Sequence, residues 1–196
     1  MHVSLDSALG RQRRLNSVGE SVLQIAPNAA AAYSLRSLTG GDPKVVRVRR
    51  SSDNGEQDFT ASGISSGALV AFVGSGNDGF VETWYDQSGN SNDVTQAAAG
   101  SQPKIVNAGS LVTVGGRASF KFDGSSDFLE RETYTQGSLS QPNTLFSVAE
   151  LDAYVDGNQK VYDGHVSTAR NMLQLNTVGN GQFAHFAGTV AATGED

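Results

Sequence analysis

Residues 80 to 90 read Phe80-Val81-Glu82-Thr83-Trp84-Tyr85-Asp86-Gln87-Ser88-Gly89-Asn90, and the fold turns on how that run is read. Its first half is rich in the aromatic and β-branched residues that suit a strand. Its second half is turn vocabulary, with side chains that bond the backbone locally and a glycine for the tight step. In strand phase Phe80, Glu82 and Trp84 share one face, and Val81, Thr83 and Tyr85 the other. Neither face is uniformly apolar, so two readings stand side by side. In one, the run is a strand-to-turn corner: Trp84 belongs to the core and Asp86 with Ser88 closes an Asx-type turn. In the other, Trp84 and Tyr85 offer ring faces to a sugar while Asp86, Gln87 and Asn90 bind its hydroxyls. The corner is the primary expectation, with its polar residues recruited at the rim for binding.

Outward from that run the chain keeps the same grammar. Val46-Arg47-Val48-Arg49 alternates apolar and charged residues, the mark of a strand with one wet face. Arg47 and Arg49 then belong to the solvated side and should pair with nearby carboxylates. Ala118-Ser119-Phe120-Lys121-Phe122 predicts a strand with Ala118, Phe120 and Phe122 turned inward, running into an Asp123-to-Asp127 turn. Thr144-Leu145-Phe146-Ser147-Val148-Ala149 reads as another strand, followed by short pieces at 160–162, 172–175, 183–186 and 189–191. Ser65-Ser66-Gly67 before Ala-Leu-Val-Ala-Phe-Val predicts a short helix capped by serine side chains. Many short strands at near-regular spacing predict a mainly β chain, a sandwich or jelly roll.

The first 28 residues differ. Leu15, Val18, Val22 and Ile25 are spaced to form one stripe of a helix, flanked by Arg11, Arg13 and Arg14. Gly19 weakens that helix by about 1 kcal/mol relative to alanine, and Pro27 should end it. A helix this short is marginal alone, so it is expected to dock on its own domain or on a partner. Residues 1–28 are therefore read as an attachment or oligomerisation arm and 29–196 as the β-domain. The end at Ala191 to Asp196 follows a strand-like run closely enough to suggest a domain interrupted within a sheet.

The bulk numbers narrow the function. The 196 residues carry a net charge of -6 and only 17% charged side chains, which disfavours a nucleic-acid binder. No cysteine is present, so disulfides and thiolate metal sites drop out. No apolar run approaches the roughly 20 residues of a membrane span, and the N-terminus lacks the apolar core of a secretion signal. No cofactor is expected. Asp86, Ser88, Asn90 and Asn92 sit at alternate positions, as in half a calcium loop, but Ser91 and Ala97 stand where glycine and a bidentate glutamate belong. The chain has no G-x-S-x-G elbow; His2, His165 and His185 are its only histidines, and the last two read as structural. Glycoside cleavage needs two carboxyl groups about 5 to 9.5 Å apart, a distance no sequence supplies.

Four phrases taken in order carry a family resemblance: AAYSLRSL (31–38), VVRVRRSSD (45–53), ETWYDQSGNSND (82–93) and ASFKFDGSSDFL (118–129), with QPKIV at 102–106. The series resembles the catalytic domain of family 54 α-L-arabinofuranosidases, a concanavalin-like β-sandwich. It resembles more closely the arabinofuranosidase-like domains of bacteriophage virion structural proteins, tail-fibre and appendage proteins above all. The match covers roughly residues 30 to 165. In the enzymes adjacent cysteines form a disulfide that contacts the sugar; this chain offers Gln159-Lys160-Val161-Tyr162 in that neighbourhood. The family's nucleophile and acid align beyond the end of this sequence, so no catalytic residue transfers. The resemblance thus implies a concanavalin-like jelly roll preceded by a helical arm, in a non-catalytic virion component. Its implied partners are other virion proteins, copies of itself (a trimer would suit a fibre) and a host-surface glycan. Nucleic acid and membrane insertion are not expected. Assembly in a reducing bacterial cytoplasm fits the missing cysteine. The competing expectation is an arabinofuranosidase-type glycoside hydrolase.

Overall fold

The computed structural model describes residues 21–137, 144–150, 160–166, 169–175 and 183–189, the last three stretches as strands given by backbone path alone beyond residue 164. The chain is mainly β. Its central feature is a curled antiparallel sheet of six strands. They are β1 (Lys44–Arg50), β2 (Glu56–Thr60), β3 (Gly79–Trp84), β4 (Val94–Thr95), β5 (Lys104–Asn107) and β6 (Ser110–Leu111). The order is β2-β1-β3-β5-β6, with β4 on the far end of β3. A two-stranded ribbon pairs β7 (Thr113–Val114) with β8 (Arg117–Ala118). A separate three-stranded sheet runs β11-β10-β9, from β9 (Lys160–Val166), β10 (Ala169–Leu175) and β11 (Phe183–Thr189).

The alternation in β1 does what its sequence predicts. Val46 and Val48 are fully buried, and Val48 lies opposite Val81 of β3. Between β2 and β3 the chain forms α2 (Ala61–Ser65) and α3 (Ala68–Val73), whose Ile64, Leu69 and Val73 join the valines of the sheet and Ile105 and Val106 of β5 in one core. The helix over 68–73 was legible, but its cap was not. Gly67 is its N-cap in the left-handed conformation, and no side chain bonds the first turn. The serines belong instead to the end of α2, where Ser65 and Ser66 donate to the Ser62 and Gly63 carbonyls. That preceding helix, missed from sequence, starts at a Thr60 cap whose hydroxyl accepts from the Gly63 N–H at 3.1 Å.

Close packing of α3 on the sheet explains Gly79. A β-carbon there would meet the Val73 side chain at 2.9 Å and Val106 at 3.1 Å. Among the basic residues of β1, Arg47 pairs with Asp58 at 2.9 Å, as a solvated face requires. Arg49 departs from the expected carboxylate pairing: it bonds Gln102 at 2.8 Å and Asn54 at 2.8 Å, and lies over the Phe80 ring at 4.8 Å.

Two expected strands fare differently from β1 and β3. Of residues 118 to 122, only Ala118 is in a named strand, although Lys121 forms a bridge to Lys104. Ala118 and Phe120 pack against the core, but Phe122 is 46% exposed rather than inward. Residues 144–150 are exposed and pair with no strand among the described residues. At the N-terminal end, α1 (Val22–Ile25) ends just before Pro27, and Val22 and Ile25 are 56% and 58% exposed. Leu15 and Val18 lie outside the described residues.

Candidate functional site

The run from Trp84 to Asp93 leaves the end of β3 and folds around the segment 29–38, and its polar side chains are the means. Asp86 is the hub. Its Oδ1 accepts from the Ala32 N–H and the Ser88 N–H, both at 2.8 Å; its Oδ2 accepts from the Ser88 hydroxyl at 2.7 Å and the Asn92 N–H at 3.0 Å. The Asx turn read from the sequence is therefore present, tied in addition to Ala32, 54 residues earlier. Neighbouring Asp93 accepts from the Asp86 N–H at 2.8 Å.

Gln87 is buried and acts as a clamp. Its Oε1 accepts from the Leu38 N–H at 2.8 Å, while its Nε2 donates to the Ser34 and Arg36 carbonyls at 2.9 and 3.0 Å. Its own N–H donates to the Ala32 carbonyl. Asn90 donates from Nδ2 to the Ala29 and Ala30 carbonyls, and Asn92, fully buried, donates to Ala30 as well. Asn92 also holds the segment 135–136, through the Thr135 N–H and the Gln136 side chain. Asn92 was considered from sequence only as a calcium-loop position; its real signal was an amide in a turn that must satisfy several buried backbone groups at once.

The aromatic pair splits in two directions. Trp84 sits between Tyr33, at 5.4 Å between ring centroids, and Phe120, at 4.8 Å and edge-on. Its Nε1 is buried without an acceptor among the described residues. Tyr33 donates its hydroxyl to the Asn92 carbonyl, and burial raises that phenol well above its ordinary range. Tyr85 points the other way and donates to Asp58 at 2.7 Å. Burial, and then the Asp58 carboxylate, push the Tyr85 phenol up to about 12.

The five residues singled out for sugar binding are thus brought to one corner, though not onto one open face. Trp84 is packed between two rings, Tyr85 is joined to β2, and Asp86, Gln87 and Asn90 hold backbone. Among the described residues no three His, Cys, Asp or Glu side chains converge. His2 is outside the described residues, and His165 and His185 are placed by backbone only, in β9 and β11. No helix among the described residues is long and apolar enough to cross a membrane. No known family model, curated protein or solved structure compared with the chain matches it.

Proposed function

We propose that the chain is a non-catalytic structural protein of a bacteriophage virion, of tail-fibre, appendage or head-decoration type. In this reading the curled sheet and the three-stranded sheet are the two leaves of a concanavalin-like jelly roll. The N-terminal arm attaches the protein to other virion proteins and to copies of itself. The domain recognises a glycan or stabilises the particle, and assembly takes place in the host cytoplasm.

The observation that carries this reading is the knot at 84–93. Seven backbone groups between Ala29 and Leu38 are held by Asp86, Gln87 and Asn90. Residues 29–38 are the part of the β-domain that directly follows the arm of 1–28, so this polar turn fastens the segment next to the arm to the sheet. An attachment arm needs such a rigid root to transmit load. Val22 and Ile25, exposed just before the root, are what a partner would cover. The ordered resemblance to virion domains supplies the context.

The test is the structure of the assembled particle, together with an assay on an aryl arabinofuranoside. The expected result is residues 5 to 25 packed against other chains and no turnover. Turnover that a carboxylate-to-amide change abolishes would install the arabinofuranosidase reading instead.

A further inference from the structure

Residues 21–38 lie on the domain as a strap, and the bonds that fasten them are confined to one turn. Among the described residues, the main-chain groups of 29–38 bond the domain beyond the strap only through Asp86 to Asn92. The strap curls around Gln87, which accepts from the Leu38 N–H and donates to the Ser34 and Arg36 carbonyls. The Ala30 carbonyl alone takes Ser88, Asn90 and Asn92. Two side chains complete the fit: the Tyr33 ring stands 5.4 Å from that of Trp84, and Leu35 packs against the core. Gln87 and Asn92 are buried, so lifting the strap away leaves amides without these partners, a costly state. The occupant that remakes every one of these bonds, and both apolar contacts, is the same strap from a second copy of the chain.

The connector from the strap to β1 is built as a hinge. Leu38 is held by Gln87, and Asp42 by α2, whose Ser62 donates its N–H at 3.1 Å and its hydroxyl to the Asp42 carboxylate. Between these anchors lie Thr39, Gly40 and Gly41, all exposed, whose hydrogen bonds among the described residues run to one another and to Ser37. Gly40 turns the chain with φ +79°, in the left-handed region that favours glycine. A β-carbon there would meet nothing nearer than the Ser21 Cβ at 3.9 Å, an ordinary contact, so backbone conformation and not space demands the glycine. The return of the strap onto its own domain thus depends on one residue. With the connector extended instead, the strap leaves its own domain and reaches that of a neighbour, where the same bonds form. Exchange of an identical element is a low-cost route to a dimer, and changes at the hinge favour it.

We infer that the strap is an exchangeable interface between copies of this chain. Residues 21–38 of one copy occupy the Asp86–Asn92 turn of a second, and the Thr39–Gly41 connector sets the balance between closed monomer and exchanged dimer. The inference rests on the part of the proposed function in which the chain joins copies of itself. It is tested on the full chain. Gly40→Val strains the closed turn and suits an extended connector, and should raise the dimer fraction about tenfold or more by light scattering at matched concentration. Isotope-filtered NMR identifies the exchange: in dimers refolded from mixed labelled and unlabelled chains, contacts between the Tyr33 and Trp84 rings should appear across chains. Inserting a pair of glycines after Gly41 should return the variant to the monomer. Removal of Gly41 from the otherwise native chain carries the same test if Gly40→Val fails to fold, because a shorter connector also hinders the return. Folded monomers from both changes, or dimers whose Tyr33–Trp84 contacts stay within one chain, would overturn the exchange. That result would leave the attachment role standing, which is judged separately on the particle.

Discussion

Asp86 has two carboxylate oxygens and four donors directed at them, three of them backbone N–H groups. Removing it leaves those N–H groups to find other acceptors in a part-buried corner. Each unsatisfied buried donor costs about 1–3 kcal/mol, and water will reach some of them here. Asp86→Ala is therefore expected to destabilise the chain by about 3 kcal/mol, and Asp86→Asn, which keeps the shape and one acceptor, by about half that. Urea unfolding of both variants measures it; a loss under about 0.5 kcal/mol for the alanine would place Asp86 among ordinary surface residues. What the sequence revealed at this scale was the type of corner, because Asp-x-Ser and Asn-rich turns form by short-range bonds that spacing alone encodes. The partners of Gln87 were not legible. They lie 49 to 53 residues away, and nothing local in the sequence points there.

Asp58 shows how elements are fastened together. It lies on β2, accepts from Lys44 at 2.5 Å and Arg47 at 2.9 Å on β1, and takes the Tyr85 hydroxyl at the end of β3. Burial alone would push its carboxyl up, but bonds from Lys44, Tyr85 and Arg47 outweigh that and hold it at about 2. A carboxyl depressed on folding contributes stability above its unfolded value, near 4, and loses it as pH falls toward the folded value. The contribution should be about 1–2 kcal/mol after discounting for partial exposure of the partners. It should vanish between about pH 4 and pH 2. Unfolding free energies of the native chain and Asp58→Asn should thus differ at pH 6 and converge near pH 2; curves that stay parallel through that window would dismiss the link. At this scale, strands that carry their own alternation were readable: β1 and β3 appear where the pattern places them. Thr144 to Ala149 carries a similar strand-like composition, yet it pairs with no strand among the described residues, with Phe146 and Val148 91% and 104% exposed. A strand needs a neighbour to satisfy its backbone, and composition specifies the propensity without specifying the neighbour.

For the whole molecule, the contrast between the buried core and the exposed α1 separates what should break stability from what should break the proposed attachment. The core draws its buried residues from β1, β2, β3, β5, α2 and α3, whereas α1 has four residues and none of them is buried. A helix that short has no stability of its own in water, so its apolar side chains contribute little to folding. They stand just before a segment, 29–38, that is bonded to the turn after β3 through Gln87, Asp86 and Asn90, and Leu23 itself donates its N–H to the Leu38 carbonyl at 3.1 Å. Rigid attachment of an exposed apolar helix is useful to a protein that must be gripped by another. Changing Val22 and Ile25 together to aspartate should therefore shift the unfolding free energy of the isolated chain by no more than about 0.5 kcal/mol. Under the proposed virion role, the same double variant should lose incorporation into the particle, because each apolar side chain buried at an interface contributes about 1.5–3 kcal/mol that two charges would forfeit. Calorimetry on the purified chain and the copy number in assembled particles separate the two effects. A large loss of stability with normal incorporation would make α1 part of the domain's own packing and end the attachment role.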